Sequence, residues 1–330
     1  MTAQVETPHA RSPAQLVSVV VPIFNEEDTL AELYKRICDT FEGRAFELIL
    51  VDDGSRDGSP RMMRELAETD PRVRVLVLSR NFGHQAALTA GLEHARGDAV
   101  VSLDGDLQDP PEVILRMLEQ WELGYDVIVG VRHERPGEPR WRLWAIRTFY
   151  KLFARIAQLD AYEQNAGDYR MFDRGALAAL NALPERNRYV RGLATWVGFR
   201  HVTVAYERDV RFAGESKYPF RGLLGLAANG VLSFSVFPLR LAALFGATFS
   251  FLALLAIPLI IVLKALGVYE VPGTASIHIP VLFVGGIQLV TLGIIGEYLG
   301  RTYDEVKRRP AYLLSSDGTP SPQSEGTTSS

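Results

Sequence analysis

The 330-residue chain carries 35 basic and 39 acidic side chains, a formal net charge of -4, so overall charge gives no case for a nucleic-acid partner. Its single cysteine, Cys38, excludes an internal disulfide and suits a reducing compartment. The polar stretch 1–15 lacks the apolar core of a cleavable signal peptide and is expected to be disordered.

From residue 16 to 131 the chain alternates apolar runs with helical periodicity. Strands are predicted over 17–23, 46–51, 73–78, 99–103 and 126–131. Helices are predicted between them, over 30–41, 60–68, 85–95 and 111–123. Strict β–α alternation implies a doubly wound, mainly parallel sheet whose ligand lies over the carboxyl ends of its strands.

Those ends carry the polar residues. The first strand runs into Phe24, Asn25, Glu26 and Glu27, and the second into Asp52, Asp53, Gly54 and Ser55. An acid there can accept hydrogen bonds from a base N–H or a ribose hydroxyl, and Phe24 can cover a base. Asp53 could equally cap the helix that follows Ser59. No G-x-G-x-x-G or Walker A sequence is present, which argues against a dinucleotide enzyme or a P-loop NTPase. The fourth strand ends in D-G-D-L-Q-D, which crowds Asp104, Asp106 and Asp109 with no cationic partner nearby in sequence. Such acids either cap the next helix or bracket a hard divalent cation, Mg²⁺ or Mn²⁺, as counter-charge for a diphosphate.

Residues 141–157 interleave Arg142, Arg147, Lys151 and Arg155 with Trp141, Trp144, Phe149, Tyr150 and Phe153. The spacing fits a helix lying in a membrane interface, with a soluble amphipathic helix as the alternative. Residues 241–263 and 275–296 are uncharged, mostly apolar and each long enough to cross a bilayer of about 30 Å. The short connection makes them a hairpin. Arg208, Arg211, Lys217, Arg221 and Arg240 precede it, Arg301, Lys307, Arg308 and Arg309 follow it, and Lys264 alone lies between, so the flanks are expected to be cytoplasmic. The domains read as 1–15, a catalytic domain over 16–230, a membrane hairpin over 231–300 and a cytoplasmic tail over 301–330, disordered after 314.

VVPIFNEEDTL, VDDGSRDGS, SRNFGHQAALTAGL and DGDLQDPPE resemble the donor site of glycosyltransferase family 2, whose fold is called GT-A. GDYRMFDR, ERNRYVRGLATWVGF, RFAGESKYPF and GEYLGRTYDEVKRRP resemble the bacterial polyprenyl-phosphate glycosyltransferases, including undecaprenyl-phosphate glucosyltransferases; dolichol-phosphate mannose synthase is a more distant relative. The resemblance covers about residues 16–314. It implies an inner-membrane enzyme that moves a hexose, most simply glucose, from a UDP-sugar to a polyprenyl phosphate with inversion. Transfer of mannose or an amino sugar, and a non-catalytic carrier-accessory role, are the alternatives. A processive polysaccharide synthase is disfavoured, because the chain has no Q-x-x-R-W motif and only two spans.

By the same resemblance Asp104, Asp106 and Gln108 hold the metal and, through it, the diphosphate. Pro22, Phe24, Asn25, Glu27 and Asp53 bind the nucleotide. Arg132 and Arg147 lie near the acceptor phosphate, Arg211 and Lys217 belong to a closing loop, and Asp168 is a base or an orienting group, with an ion pair to Arg170 or Arg174 as its structural alternative. Relatives form tetramers through their membrane helices, and Gly285, Gly286, Gly293 and Gly296 would let helices approach closely.

Overall fold

A computed structural model describes residues 10–132, 166–186, 188–207, 236–267 and 275–316. The chain divides into two compact units, one comprising residues 1–154, 159–219 and 310–330 and the other 155–158 and 220–309.

In the first unit the alternation holds as expected: β1 (Val17–Ile23), α1 (Leu30–Thr40), β2 (Phe46–Asp52), α2 (Ser59–Thr69), β3 (Val73–Leu78), α3 (His84–His94), β4 (Ala99–Ser102), α4 (Val113–Glu122) and β5 (Val127–Arg132). After these come β6 (Ala166–Asp173), α5 (Arg174–Asn181), α6 (Val190–Trp196) and β7 (His201–Tyr206). With β8 (Leu314–Ser316), the described strands form one sheet in the order β7-β5-β6-β4-β1-β2-β3-β8. Neighbouring pairs among β4, β1, β2 and β3 are parallel, as are β5 and β7. The sheet is nonetheless mixed, because β6 runs antiparallel between β4 and β5.

β1 and β2 are apolar on both faces because both are covered, one side by α1 and α4 through Leu33, Ile37, Ile114, Met117 and Leu118. On the other side α3 sits directly on β1: a Cβ on Gly91 would lie 2.2 Å from Val20 Cγ1, so only glycine allows that approach. Full burial of each Leu, Ile or Val contributes about 1.5–3 kcal/mol to holding these layers together.

The termini are more ordered than expected. Within 10–15, expected to be disordered, Arg11 stacks over Trp121 at 5.2 Å, pairs with Asp126 at 2.5 Å and donates to the carbonyl oxygens of Trp121 and Tyr125. At the other end Ser315 and Ser316, expected to be disordered, belong to β8 (Leu314–Ser316), which pairs antiparallel with β3. The reason is local: β3 would otherwise be an open edge, and Ser79 N donates to Leu313 O at 2.8 Å.

The second unit holds α7 (Phe237–Ala265) and α8 (Ala275–Val306). Both contain segments long and apolar enough to cross a membrane, Pro238–Leu263 and Phe283–Val306, with Leu244, Phe251, Leu254, Leu289 and Leu292 exposed. Phe249 and Phe283 meet edge to face at 5.8 Å. α8 continues past residue 296, where its apolar run was expected to end; beyond it Arg301 pairs with Glu297 one turn back at 3.1 Å.

Candidate active site

The carboxyl ends of β1, β2 and β4 form one rim, and the start of β6 joins it because β6 is antiparallel: Ser102 pairs with Arg170, which puts Asp168 just past the end of β4. Ser102 Oγ locks this placement by donating to the carbonyl oxygens of Asp168 and, at 3.2 Å, Arg170.

At the β1 and β2 ends the two polar turns are zipped together. Asn25 adopts a left-handed backbone with φ 55°. Its N–H donates to Ser55 Oγ at 3.1 Å, and its side-chain oxygen accepts from Arg56 N at 2.8 Å. Glu27 Oε2 accepts from Gly58 N at 2.5 Å. Asn25 and Glu27 therefore shape the turn, while Phe24 stands 40% exposed on its rim beside half-buried Pro22. Asp53 caps neither α2 nor any other helix. Its buried carboxylate accepts from Phe82 N at 2.7 Å and Gly83 N at 3.0 Å, pinning the loop that leads into α3. Burial pushes the Asp53 carboxyl up, and those two N–H groups partly offset it. Gly54 completes the contact: with φ +74° and a would-be Cβ 2.8 Å from Asn81 N, it lets the two loops touch.

The D-G-D-L-Q-D turn is built around a strained residue. Leu107 has φ 59° and is buried in the core, a conformation that costs about 1–3 kcal/mol and persists only because packing enforces it. It turns the chain so that Gln108 N donates to Asp106 Oδ1 at 3.1 Å. Asp104 lies 3.2 Å from His84 Nε2. Burial pushes the Asp104 carboxyl up to about 6; His84 opposes this, and the charges of Asp168, Asp109 and Asp106 add to it.

Among the described residues no three His, Cys, Asp or Glu side chains already converge as a metal cage. A Mg²⁺-type ion needs no such cage, since one or two carboxylates plus substrate phosphates and water suffice. Asp104, Asp106 and Gln108 supply hard oxygen donors where carboxylate charges accumulate, so the residues fit a divalent cation.

Two further acids are neutralised by arginines. Asp109, fully buried, takes Arg132 Nη2 at 3.0 Å and the Tyr206 hydroxyl at 2.6 Å, so it is a seat for Arg132 and not part of the open acid cluster. Burial, together with the Asp109 charge, pushes the Tyr206 phenol up. Asp168, 5% exposed, is clasped by Arg191 through Nε to Oδ1 at 2.8 Å and Nη2 to Oδ2 at 2.9 Å, and Gln85 Nε2 donates to Oδ2 at 3.1 Å. Burial alone would raise this carboxyl, but Arg191, with the charges of His84 and Arg170, holds it below the usual range. The expected structural partners are otherwise engaged: Arg170 Nε donates to Gly167 O and Arg174 Nη1 to Ala95 O.

Residues 18–180 match the profile of glycosyl transferase family 2. Over 303 residues the chain is 41% identical to the bactoprenol glucosyl transferase of Shigella phage SfII, covering 90% of this chain and 97% of that protein. The chain belongs to glycosyl transferase family 2. It is likewise 41% identical over 303 residues to an uncharacterised glycosyltransferase of Synechocystis sp., covering 91% of this chain and 94% of that one. The fold is GT-A-like: glucosyl-3-phosphoglycerate synthase from Mycobacterium tuberculosis, solved with Mn²⁺, UDP and phosphoglyceric acid, superposes with TM-score 0.50 at 20% identity, over 66% of this chain and 76% of that one.

For this glycosyltransferase the described structure brings Pro22, Phe24, Asn25, Glu27, Asp53, Asp104, Asp106, Gln108, Arg132 and Asp168 to one rim. Arg147, Arg211, Lys217 and the 141–157 interface segment lie outside the described residues. Sequence reasoning missed His84, Gln85, Arg191 and Tyr206. His84 and Gln85 stand in SRNFGHQ, behind a glycine of φ +98°, which was the one local signal. Arg191 stands in ERNRYVRGLATWVGF, but its partner lies 23 residues away, and Tyr206 carries no local signal, its partner lying 97 residues away.

Proposed function

We propose that the protein transfers glucose from UDP-glucose to a polyprenyl phosphate, releasing UDP and inverting the anomeric carbon. The observation that carries this reading is the acid turn itself: Asp104 and Asp106 stand together at the strand ends where a GT-A-like sheet receives its ligand, and burial among like charges pushes the Asp104 carboxyl up. Near-full-length similarity to bactoprenol glucosyl transferases, including the two apolar helices, supports a lipid-borne acceptor.

In this mechanism an acceptor phosphate oxygen attacks the anomeric carbon from the face opposite the nucleotide. The new bond is carbon to phosphate oxygen, and the breaking bond leaves its electron pair on the UDP β-phosphate. The acceptor, with a second pKa of about 6, is largely dianionic at neutral pH, so no strong base is required. This agrees with an ionised Asp168 that orients its neighbours. A bound Mg²⁺ or Mn²⁺ would supply charge neutralisation for the departing diphosphate. Asp104, Asp106 and Gln108 would hold it. Phe24 covers the base on the rim, and Pro22, Asn25, Glu27 and Asp53 shape the nucleotide pocket. Arg132, seated on Asp109, faces the acceptor phosphate, with Arg147, Arg211 and Lys217 as further cations.

The same reading places the catalytic unit and both termini on the cytoplasmic face of the inner membrane, by the distribution of Arg and Lys around the hairpin. Self-association through Gly285, Gly286, Gly293 and Gly296, whose α-carbons meet open space, belongs to it as well.

The test is transfer of label from a panel of UDP- and GDP-sugars to undecaprenyl phosphate in detergent, with and without EDTA. An organic-soluble, EDTA-sensitive product from UDP-glucose alone is expected. A different single donor would correct the sugar, and no product from any donor would sink the proposed reaction.

A further inference from the structure

We propose that Arg191 is a phosphate-contacting residue of the transfer site, held in place by Asp168 and Gln85. The inference rests on the reading above, in which both substrates bring anionic phosphate oxygens to this rim.

The argument starts from the cost of the pair. Taking a carboxylate and a guanidinium out of water is expensive, and a buried ion pair contributes little net stability compared with packed apolar groups of the same volume. Asp168 is nevertheless 5% exposed and Arg191 27% exposed, beside the acid turn. The geometry is one-sided. Arg191 spends Nε and Nη2 on the two oxygens of Asp168, and among the described residues its Nη1 has no partner. A planar guanidinium anchored along one edge in this way presents its remaining N–H groups in a fixed direction, as bidentate or bridging recognition of a phosphate requires.

The anchor is itself braced. Gln85 donates to Asp168 Oδ2 through Nε2 and accepts Val190 N through Oε1 at 3.0 Å, tying the start of α6 to the start of α3. Gln85 and Asp168 are thus positioning residues for Arg191. The neighbourhood is that of the proposed diphosphate site: His84 Nε2 stands 3.2 Å from Asp104 and 4.0 Å from Asp168, so two side chains separate the guanidinium from the D-G-D turn. Arg132 plays a parallel part, anchored on Asp109 by its own Nε and Nη2 and lying against Gly167, next to Asp168. Each arginine is seated on a buried aspartate.

The phosphate oxygens could belong to the donor diphosphate or to the acceptor lipid, and direct binding separates the two without relying on turnover. The full-length protein in detergent is titrated with UDP in the presence of Mn²⁺ and, separately, with undecaprenyl phosphate. Arg191→Gln should weaken one of these by about 10- to 100-fold, the span expected for a lost charge-assisted hydrogen bond, and Arg191→Lys by less. Loss of UDP affinity assigns the contact to the diphosphate, loss of lipid affinity assigns it to the acceptor, and loss of both places it between them. Because Arg191→Gln leaves Asp168 buried without a counter-charge, the double variant Asp168→Asn/Arg191→Gln provides a neutral pair that should fold and bind as weakly as the single. If both affinities in the double variant stay within about twofold of wild type, Arg191 is only a counter-ion and the proposal falls. Failure of the wild-type protein to transfer glucose would instead sink the proposed reaction, since the binding result stands apart from it.

Discussion

Asp104 and Asp168 flank the same histidine, yet their surroundings drive them in opposite directions. Asp104 ends a parallel strand among other acids, has His84 3.2 Å away as an opposing charge, and is pushed up to about 6. Asp168 opens the neighbouring antiparallel strand, is clasped on both oxygens by Arg191 and is held below the ordinary carboxylate range. The lesson is that two carboxylates a few ångströms apart acquire different character from their partners: the first keeps its charge among other acids, as the proposed cation site requires, and the second is spent on holding an arginine.

The sharpest way to break this comparison is to remove the acids one at a time. Asp104→Asn and Asp106→Ala should each lower glucose transfer by about 10²–10³-fold or more while the protein stays folded, because the charge on the departing diphosphate loses its balance. Near-normal turnover with Mg²⁺ in either variant would remove that residue from the metal and donor site.

Asp168→Asn should act first on stability. It strands the Arg191 guanidinium, a loss of about 2–4 kcal/mol, toward the lower end of what broken buried pairs cost because Arg191 keeps 27% exposure. A melting temperature unchanged from wild type would show that the pair is not what holds α6 against β6.

Gly54→Ala should cost about 1–2 kcal/mol, since its left-handed backbone and its close approach to Asn81 both reject a methyl group. The displaced loop leads into His84 at the start of α3, so the variant should also weaken UDP binding, which equilibrium titration would detect. The smallest effect is in pH. The folded Asp168 carboxyl lies below its unfolded value of about 3.9, so its contribution is complete above about pH 4 and is lost as pH falls through the folded value. The acid limb of the melting curve should therefore be flatter in Asp168→Asn than in wild type.

The first half of the fold was legible residue by residue. Strands 17–23 and 73–78 fall where their apolar runs predict, and the helices deviate by at most two residues, because each buries a regular face. The acid turn and its place at the strand ends were legible for the same reason. What could not be read is antiparallel: β6 enters between β4 and β5 after a long intervening segment, and no periodicity reveals which strand it joins. Sequence proximity therefore offers Arg170 and Arg174 as ion-pair partners of Asp168, whereas the fold clasps it with Arg191. Asp53 shows the same limit. A strand-end acid can serve a base or a helix cap, and only the tertiary approach of residues 82–83 shows that it holds a loop.

The comparison between the two acids is tested most directly by melting the metal-free full-length protein at pH 7 with Asp104→Asn and Asp168→Asn side by side. Neutralising Asp104 relieves a repelled charge and should raise stability by about 1–2 kcal/mol, whereas neutralising Asp168 should lower it. Opposite signs are the predicted result. Destabilisation by both substitutions would contradict the account, because Asp104 would then be a paired structural acid like its neighbour.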